Sequence, residues 1–232
     1  DTHRCLVPDH MGCGWSERPP EPDYAYTLDQ RVADLAEWID GLGIDEPITV
    51  IAHDWGGMIA MAWATQHADR VKRIMLMNTA AFSLPEAKPL PKRLRLVRDS
   101  ILGRVLVDRF NAFAVGATYM ATKKKMPADV REGYLAPYRD RDQRLATLRF
   151  VEDIPLGPED AAWATVERTS RELETLRDKP ALILWGRKDF VFDDHFLAVW
   201  RKKLPDAEVH VYEDAGHYVL EDESADVCRR VA

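Results

Sequence analysis

Short apolar runs alternate along the chain with longer segments in which apolar residues recur every three or four positions. The short runs are apolar almost throughout, as expected for strands with both sheet faces covered. Alternation of strand and helix patterns predicts a mostly parallel sheet covered by helices, the α/β class. Five runs have strand length: Arg4 to Val7, Ile48 to Ala52, Ile74 to Met77, Ala181 to Trp185 and Val209 to Tyr212.

Two helices are predicted beside the second run. Thr27 can cap a helix with an apolar face that ends at two glycines; the face comprises Val32, Leu35, Ala36 and Ile39, and the glycines are Gly41 and Gly43. After the run, the segment from Gly56 to Ala62 begins with small residues, which allow close packing on a sheet. We expect both helices to cover the sheet.

A long helical stretch without strand patterns separates the third run from the fourth. It is rich in Arg, Leu and Ala, and its proline-rich parts at 85–91 and 154–158 indicate turns. We predict a core formed by residues 1–79 and 180–232, with residues 80–179 inserted as a helical cap.

Both ends of the chain fall within predicted elements. Residue 1 is Asp rather than Met, a strand pattern follows almost at once, and residues 225–232 stop inside an amphipathic helix pattern. We therefore expect strands missing at the N-terminus and a clipped C-terminus. An exposed sheet edge would make this chain aggregation-prone.

Composition excludes several classes of function. A net charge of -7 argues against nucleic-acid binding, and we assign the basic run Lys123 to Lys125 to a solvated helix end. Cys5, Cys13 and Cys228 have no paired spacing, which favours a reducing cytoplasm. No apolar run is long enough to span a membrane, and neither zinc-ligand spacing nor a phosphate-binding loop occurs. We expect no cofactor and no metal.

The sharpest chemical signal is a strand that delivers one polar side chain, Asp54, into a turn that opens directly into a helix. This is the pattern of a nucleophile elbow, whose strained turn needs small residues two positions before and after the nucleophile. Ala52 and Gly56 satisfy that demand. The alternative is that Asp54 merely caps the helix, because Asp is a favoured N-cap residue.

Two further residues favour catalysis. Asp189 and His217 each follow a predicted strand, in the order nucleophile, acid, histidine. Ligands of open α/β sheets bind beyond the carboxyl ends of the strands, so the three side chains can converge there. Other polar residues near strand ends are interpreted as structural, turn or surface residues: His53, His67, His195, His210, Asp193, Asp194, Asp214 and Asp222.

These residue types predict covalent catalysis without a cofactor. An ionised carboxylate can attack an electrophilic carbon without a base and form an ester of Asp54. His217 would then deprotonate the water that hydrolyses the ester, and Asp189 would hold the imidazole. The backbone N–H of Trp55 is the expected oxyanion donor.

Three segments resemble the haloalkane dehalogenase and epoxide hydrolase branch of the α/β-hydrolase fold. They are Pro8-Asp-His-Met-Gly-Cys-Gly-Trp-Ser16, His53-Asp-Trp-Gly-Gly57, and Trp185-Gly-Arg-Lys-Asp189 with Ala215-Gly-His217. The resemblance implies that the Trp55 indole donates to a leaving halide. It also implies that Asp189 is the acid, since one subgroup places its acid where this chain has Asn78. The family's early His-Gly-Asn-Pro-like loop, which supplies a second oxyanion or halide donor, would precede residue 1, so we expect this chain to be poorly active.

The predicted cap is similar to that of the β-lactone decarboxylases of bacterial olefin synthesis. The likeness rests on segments at 78–82, 111–113, 149–156 and 189–193. It implies conversion of a β-lactone to an alkene and carbon dioxide, in association with other enzymes of that pathway. Epoxide hydrolysis is the alternative reaction and would require two cap tyrosines; Tyr119, Tyr134 and Tyr138 are candidates, although each is more typical of packing or surface.

A small apolar substrate is expected because aromatic residues are frequent in and near the cap. They are Phe82, Phe110, Phe113, Phe150 and Trp163, each of which could equally be a core residue. We expect Phe82, Phe113, Phe150 and Trp163 to line the substrate pocket. A protein of this fold could also bind a ligand without turning it over. Formation of an ester on Asp54 separates these two hypotheses.

Overall fold

The computed structural model describes residues 3–231, and its centre is a parallel sheet of four strands in the order β1-β2-β3-β4. Each strand pairs in parallel with the next along the chain, so the C-terminal ends of all four strands lie on the same side of the sheet, called here its carboxyl edge. The strands are β1, Ile48–Asp54; β2, Val71–Thr79; β3, Ala181–Gly186; and β4, Glu208–Tyr212.

The fifth predicted strand, Arg4 to Val7, is wrong. This segment forms no strand, and Val7 is 89% exposed. A strand exists only when a neighbour completes its hydrogen-bond ladder. Within residues 3–231, β1 pairs with β2 alone, so its other edge carries no partner. The apolar composition of Arg4 to Val7 therefore does not decide its structure.

Eleven α-helices and four short 3-10 helices surround the sheet in the described chain. The α-helices are α1, Leu28–Gly41; α2, Trp55–Gln66; α3, Lys92–Asp99; α4, Ile101–Phe110; α5, Ala112–Met120; α6, Ala128–Leu135; α7, Leu145–Glu152; α8, Trp163–Glu172; α9, Asp194–Lys203; α10, Val219–Asp222; and α11, Ser224–Val231. The 3-10 helices are Ala68–Arg70, Ala136–Tyr138, Arg141–Arg144 and Leu173–Leu176. None of the described helices is long and apolar enough to cross a membrane.

Both helices predicted beside β1 are confirmed. The Thr27 hydroxyl accepts a hydrogen bond from the backbone N–H of Gln30 at the start of α1, and Gly43 ends it with φ of 59°. A positive φ is accessible to glycine because it has no Cβ. α2 begins directly after β1, with Ile59, Met61 and Ala62 fully buried.

The stretch between β2 and β3 contains six α-helices, α3 to α8. Its last part belongs to the packing of the sheet, because Leu173 and Leu176 are fully buried in the same cluster as Ile74 and Ile183. The division of the chain at residues 79 and 180 stays a prediction.

The two faces of the sheet bury alternate residues, as the period of a strand requires. On one face, Leu76 and Ile183 pack in a cluster with Trp200 of α9. On the other, Met77 and Leu184 pack with Val227 of α11. Helices therefore cover both faces and leave the carboxyl edge of the sheet as the place where polar loop residues meet.

Candidate active site

Asp54 lies in a strained turn between β1 and α2. Its φ of 48° and ψ of -130° are unusual for a residue with a side chain. The Thr79 hydroxyl donates a hydrogen bond to the Asp54 carbonyl oxygen over 2.5 Å, which ties the turn to the end of β2. Strain of this kind persists only when surrounding contacts impose it.

The glycine that this turn requires is Gly57 rather than Gly56. A Cβ on Gly57 would lie 1.8 Å from the Thr79 hydroxyl oxygen, whereas a Cβ on Gly56 would meet nothing within 4 Å. No atom outside the adjacent residues and the backbone of α2 restricts the size of residue 56, so the need for a small residue there stays a prediction. Ala52 is buried at 5% exposure, as the pattern predicted.

The side chain of Asp54 makes no helix-capping hydrogen bond. The capping alternative consequently fails, although Asp54 does occupy the N-cap position. Its side chain is 40% exposed and lines a cavity, and the backbone N–H of Trp55 donates a hydrogen bond to it. The carboxylate is available to a ligand.

His217 lies between two carboxylates. Its Nε2 atom is 3.8 Å from Oδ2 of Asp54, and its Nδ1 atom is 2.8 Å from Oδ2 of Asp189. Asp189 is buried in full, and its other oxygen accepts the backbone N–H of Val191 over 2.7 Å. Asp54, His217 and Asp189, which are far apart in the sequence, thus meet in one chain of polar contacts.

Asn78 connects the end of β2 to this group. Its side-chain amide donates to Oδ2 of Asp189 over 3.0 Å and to the carbonyl of Gly186 over 2.9 Å, while its own oxygen accepts the N–H of Gly186. Asn78 is fully buried, with φ of 28°. One subgroup of the branch that this chain resembles has its catalytic acid at the position of Asn78. In this chain the Asn78 amide orients Asp189 instead.

The charges in this group determine its pKa values. Burial acts to lower the pKa of His217, but the Asp189 carboxylate and then Asp54 outweigh it and raise that pKa to about 10. For Asp54, burial acts to raise the pKa, and the hydrogen bond and charge of His217 bring it below its ordinary value. The pair is therefore stable as imidazolium and carboxylate.

Two residues interpreted from the sequence as structural prove to hold the His217 loop. Nε2 of His53 contacts the backbone oxygen of His217 at 2.9 Å, and burial lowers the pKa of His53 to about 4. Asp222, only 2% exposed, accepts the N–H of Gly216 over 2.7 Å and those of Lys123 and Lys124. The sequence placed Asp222 close to His217 but did not show its burial.

A cavity of about 790 Å³ opens above Asp54 and His217. Phe82, Phe113 and Phe150 line it, as does Trp55. The rings of Trp55 and Phe150 are 5.3 Å apart between centroids. Apolar walls around a few convergent polar groups are typical of a small-molecule site.

The placement of Trp163 in this pocket is wrong, and Phe110, another aromatic residue of the predicted cap, is also outside it. Trp163 is the first residue of α8, whose buried residues Thr165, Val166 and Thr169 face the protein interior, and Trp163 does not line the cavity. Phe110 ends α4 with 68% of its surface exposed. Aromatic composition does not reveal which side of a helix faces a cavity.

Tyrosines contribute more to the cavity than the sequence suggested. Tyr134 and Tyr138 line it, and so does Tyr218, which follows His217 directly. The hydroxyl of Tyr134 donates to Glu221 over 2.8 Å, and that of Tyr138 accepts the N–H of Gly14. Tyr119 is 63% exposed and lies outside the cavity. Adjacency to His217 was the signal that could have identified Tyr218.

The glycine-rich loop at residues 8–16 also reaches the cavity, through Asp9, His10 and Cys13. Oδ2 of Asp9 accepts the N–H of Trp15 over 2.9 Å. A Cβ on Gly14, whose φ is 53°, would lie 2.3 Å from that carboxyl group. The spacing of the glycines therefore reflects the fold of the loop.

The remaining candidate residues have local roles. They are His67, whose Nδ1 contacts the carbonyl of Trp63; Asp193, which caps α9; His195, beside Asp193; Asp194, near Arg187; His210, beside Glu208; and Asp214, beside Lys188. Lys123 to Lys125 are exposed, just after α5. Cys5, Cys13 and Cys228 are free thiols. No grouping of three or more metal-ligating side chains occurs within residues 3–231.

The sheet order, the elbow at Asp54 and the polar group at the carboxyl edge define an α/β-hydrolase. A sequence pattern for the alpha/beta hydrolase fold matches residues 1–224, and the chain belongs to that family. Among curated relatives, the cis-3-alkyl-4-alkyloxetan-2-one decarboxylase of Shewanella oneidensis is 47% identical over the whole chain, which covers 73% of that relative. The protein of the same name from Xanthomonas campestris pv. campestris is 48% identical over 96% of the chain and 76% of its own length.

Haloalkane dehalogenases are more distant relatives. Haloalkane dehalogenase 2 of Mycobacterium tuberculosis is 32% identical over 93% of the chain and 75% of its own length. The crystal structure of the haloalkane dehalogenase DatA from Agrobacterium tumefaciens C58 superposes with a TM-score of 0.84 at 22% identity, covering 96% of this chain and 76% of that one. The structural likeness supports the fold. The chain is thus an enzyme of the α/β-hydrolase family, of the haloalkane dehalogenase type.

Proposed function

We propose that the protein converts a cis-3,4-dialkyl β-lactone to an alkene and carbon dioxide, with Asp54 as nucleophile. The observation that carries the reaction is the 47–48% identity to two proteins named cis-3-alkyl-4-alkyloxetan-2-one decarboxylase, across at least 96% of the chain. The observation that supports the nucleophile is the exposed Asp54 carboxylate in an apolar cavity beside His217.

The chemistry needs two steps. An Asp54 oxygen attacks ring carbon 4 from the face opposite the ring oxygen; the bond from carbon 4 to that oxygen breaks, and its electron pair leaves with the freed carboxylate. The bond from carbon 3 to the carboxylate then breaks, its pair forms the carbon–carbon double bond, and the ester bond to Asp54 breaks. Carbon dioxide leaves and Asp54 is regenerated. Inversion followed by anti fragmentation keeps the alkyl groups cis.

Neither of these two reaction steps consumes water, so the reaction does not require a neutral His217 to act as a base. The raised pKa of His217 supports a role as a fixed cation that keeps Asp54 ionised and stabilises the carboxylate released from the ring. Asp189 would hold the His217 ring in position, and Asn78 would hold Asp189. Trp55 would donate from its backbone N–H to the Asp54 carboxylate, at the oxygen that does not attack, and from its indole to the leaving group.

Haloalkane hydrolysis is the second candidate, because the Trp55 indole lines the cavity next to Asp54. There Asp54 displaces halide, and His217 must take a proton from the water that attacks the ester carbonyl. Esterification removes the charge of Asp54, one of the two charges that raise the pKa of His217. The base would therefore become competent only after the ester has formed.

Water labelled with oxygen-18 separates these reactions. With a cis-dialkyl β-lactone, we expect a cis-alkene by gas chromatography and no label in the peptide that contains Asp54, since no water attacks the ester. Hydrolysis through the ester would instead give a β-hydroxy acid and labelled Asp54. Asp54→Asn should lower alkene formation at least about a thousandfold, whereas the exposed Asp214→Asn should not change it.

A second arm uses His217→Gln with a haloalkane, followed by mass spectrometry of the same peptide. A substrate-sized mass increase on Asp54 supports the covalent mechanism. Absence of any adduct and of any alkene, in a protein with intact secondary structure, would favour epoxide hydrolysis or binding without turnover. The hydrogen bond from Tyr134 to Glu221 leaves that tyrosine less suited to protonate an epoxide.

We also propose, as the resemblance implies, that other enzymes of olefin synthesis are partners. Three free thiols support a reducing compartment, the cytoplasm. Copurification of the tagged protein with the enzyme that supplies the lactone is the corresponding test.

A further inference from the structure

Helices α3 and α4 are separated by Ser100 alone, and both expose large apolar side chains. We name this surface the α3–α4 face. Its members and their exposed fractions are Leu96 at 43%, Ile101 at 81%, Leu102 at 59%, Val105 at 38% and Phe110 at 68%. Several large exposed apolar side chains on two consecutive helices are typical of an interaction site.

Hydrogen bonds and close packing at Ser100 and Gly103 hold the junction of α3 and α4. The Ser100 hydroxyl accepts the N–H of Gly103 over 3.0 Å and donates to the carbonyl of Leu96 over 2.6 Å. A Cβ on Gly103 would lie 2.4 Å from that carbonyl oxygen. The close approach at Gly103 fixes α4 against α3 with its apolar residues outward.

The segment that carries the α3–α4 face is rich in cations, of which Arg98 pairs with Asp160 and Arg104 with Glu152, while Lys92, Arg93, Arg95 and Arg109 are exposed. Between residues 92 and 110 the chain has six cations, Lys92, Arg93, Arg95, Arg98, Arg104 and Arg109, against Asp99 and Asp108. Six minus two gives +4 here, and -7 minus +4 leaves -11 for the rest of the chain. A basic, apolar helical surface on an acidic protein is typical of attachment to anionic lipid.

The α3–α4 face continues into the cavity above Asp54. Leu94, Val97 and Leu106, on the same two helices, line that cavity. Leu96 belongs to both surfaces, since it lines the cavity and remains 43% exposed. An apolar molecule could pass from lipid to Asp54 along side chains of α3 and α4.

We propose that the α3–α4 face docks on an anionic lipid bilayer and takes its apolar substrate from there. The claim that the substrate comes from the bilayer rests on the proposed function, whereas the claim that this face binds the bilayer does not. A second copy of this chain is a poorer occupant, because face-to-face packing would bring the two sets of cations together. Anionic headgroups complement those cations, while the acyl region accepts Ile101, Leu102 and Phe110.

The test is co-sedimentation of the whole chain with vesicles of phosphatidylcholine alone and of phosphatidylcholine with phosphatidylglycerol. We expect partition to the anionic vesicles that weakens at high salt. Ile101→Ser with Leu102→Ser should weaken it about tenfold or more, and Lys92→Gln with Arg109→Gln about thirtyfold.

Matched controls lie elsewhere on the surface. Val7→Ser removes an apolar side chain that is 89% exposed, and Arg201→Gln with Lys202→Gln removes two exposed cations from α9. Neither should alter partition. Equal loss in the controls, no vesicle binding, or apolar-dependent dimers in sedimentation would overturn the proposal.

Activity measured without vesicles, on a short water-soluble lactone, separates the two proposals. If the wild type does not turn that lactone over, the proposed function fails while the vesicle result stands. If turnover is intact in all variants but vesicle binding does not depend on the α3–α4 face, only the docking proposal fails.

Discussion

At the scale of single residues, the site depends on a histidine that two carboxylates keep charged. Asp189 is fully buried and bonded to Nδ1 of His217, and Asp54 lies 3.8 Å from Nε2. Asn78 and Val191 hold Asp189 in turn. The protonation of His217 therefore reports whether this arrangement forms in solution.

Asp189→Asn should lower the pKa of His217, because the Asp189 carboxylate is the largest influence that raises it. The pKa is raised on folding, so its stabilisation is complete below the unfolded value near 6.5 and is lost as the pH rises through the folded value, about 10. Asp189→Asn should accordingly cost more stability at pH 6 than above pH 10.

NMR titration of the His217 ring and urea unfolding at several pH values provide the measurements. Asp214→Asn, at an exposed carboxylate, is the control. An unchanged His217 titration in Asp189→Asn would contradict the contact between these side chains.

At the scale of secondary structure, the junction of β1 and α2 is the most constrained part of the chain. Asp54 has an unusual φ and ψ, and Gly57 packs so close to Thr79 that no side chain fits. Because the helix continues directly from the turn, any displacement of α2 also displaces Asp54.

Gly57→Ala should destabilise the protein by about 2–4 kcal/mol, because its Cβ would overlap the Thr79 hydroxyl. Gly56→Ala should change stability by less than about 1 kcal/mol, since its Cβ meets no atom within 4 Å. Urea unfolding of both variants compares neighbouring positions of one helix. Equal effects would mean that the close approach to Thr79 is absent.

At the scale of the whole molecule, the helical stretch between β2 and β3 is attached to α1 through Asp153. Its Oδ2 atom accepts the N–H of Leu28 over 2.6 Å, at the start of α1. Burial raises the pKa of Asp153 to about 6, although that hydrogen bond and the charge of Arg31 oppose the rise. The Asp153 side chain thus joins two distant parts of the chain, and its ionisation lowers the stability of the folded protein.

Asp153→Asn should remove a pH dependence of the free energy of unfolding. A carboxyl whose folded pKa lies above its unfolded value makes stability fall as the pH rises from about 4 to about 6. Relative to wild type, Asp153→Asn should therefore gain about 1–2 kcal/mol at pH 8 compared with pH 4. Thermal unfolding across this range, with the exposed Asp142→Asn as control, measures the gain; a flat difference would contradict the burial of Asp153.

The sequence by itself determined the four strands, the first two helices and the order of Asp54, Asp189 and His217. These features are local: a buried parallel strand is an apolar run, and an elbow needs small residues at fixed positions around one polar residue. The parallel sheet then brings residues that follow its strands to one edge, whatever the length of chain between them.

Only the tertiary structure decided the rest. Arg4 to Val7 has strand composition but no neighbour to pair with, and Trp163, which was predicted to line the pocket, lies outside it. The constraint on Gly57 comes from Thr79, on another strand. Each of these outcomes depends on contacts between residues far apart in the chain, and local residue patterns do not contain that information.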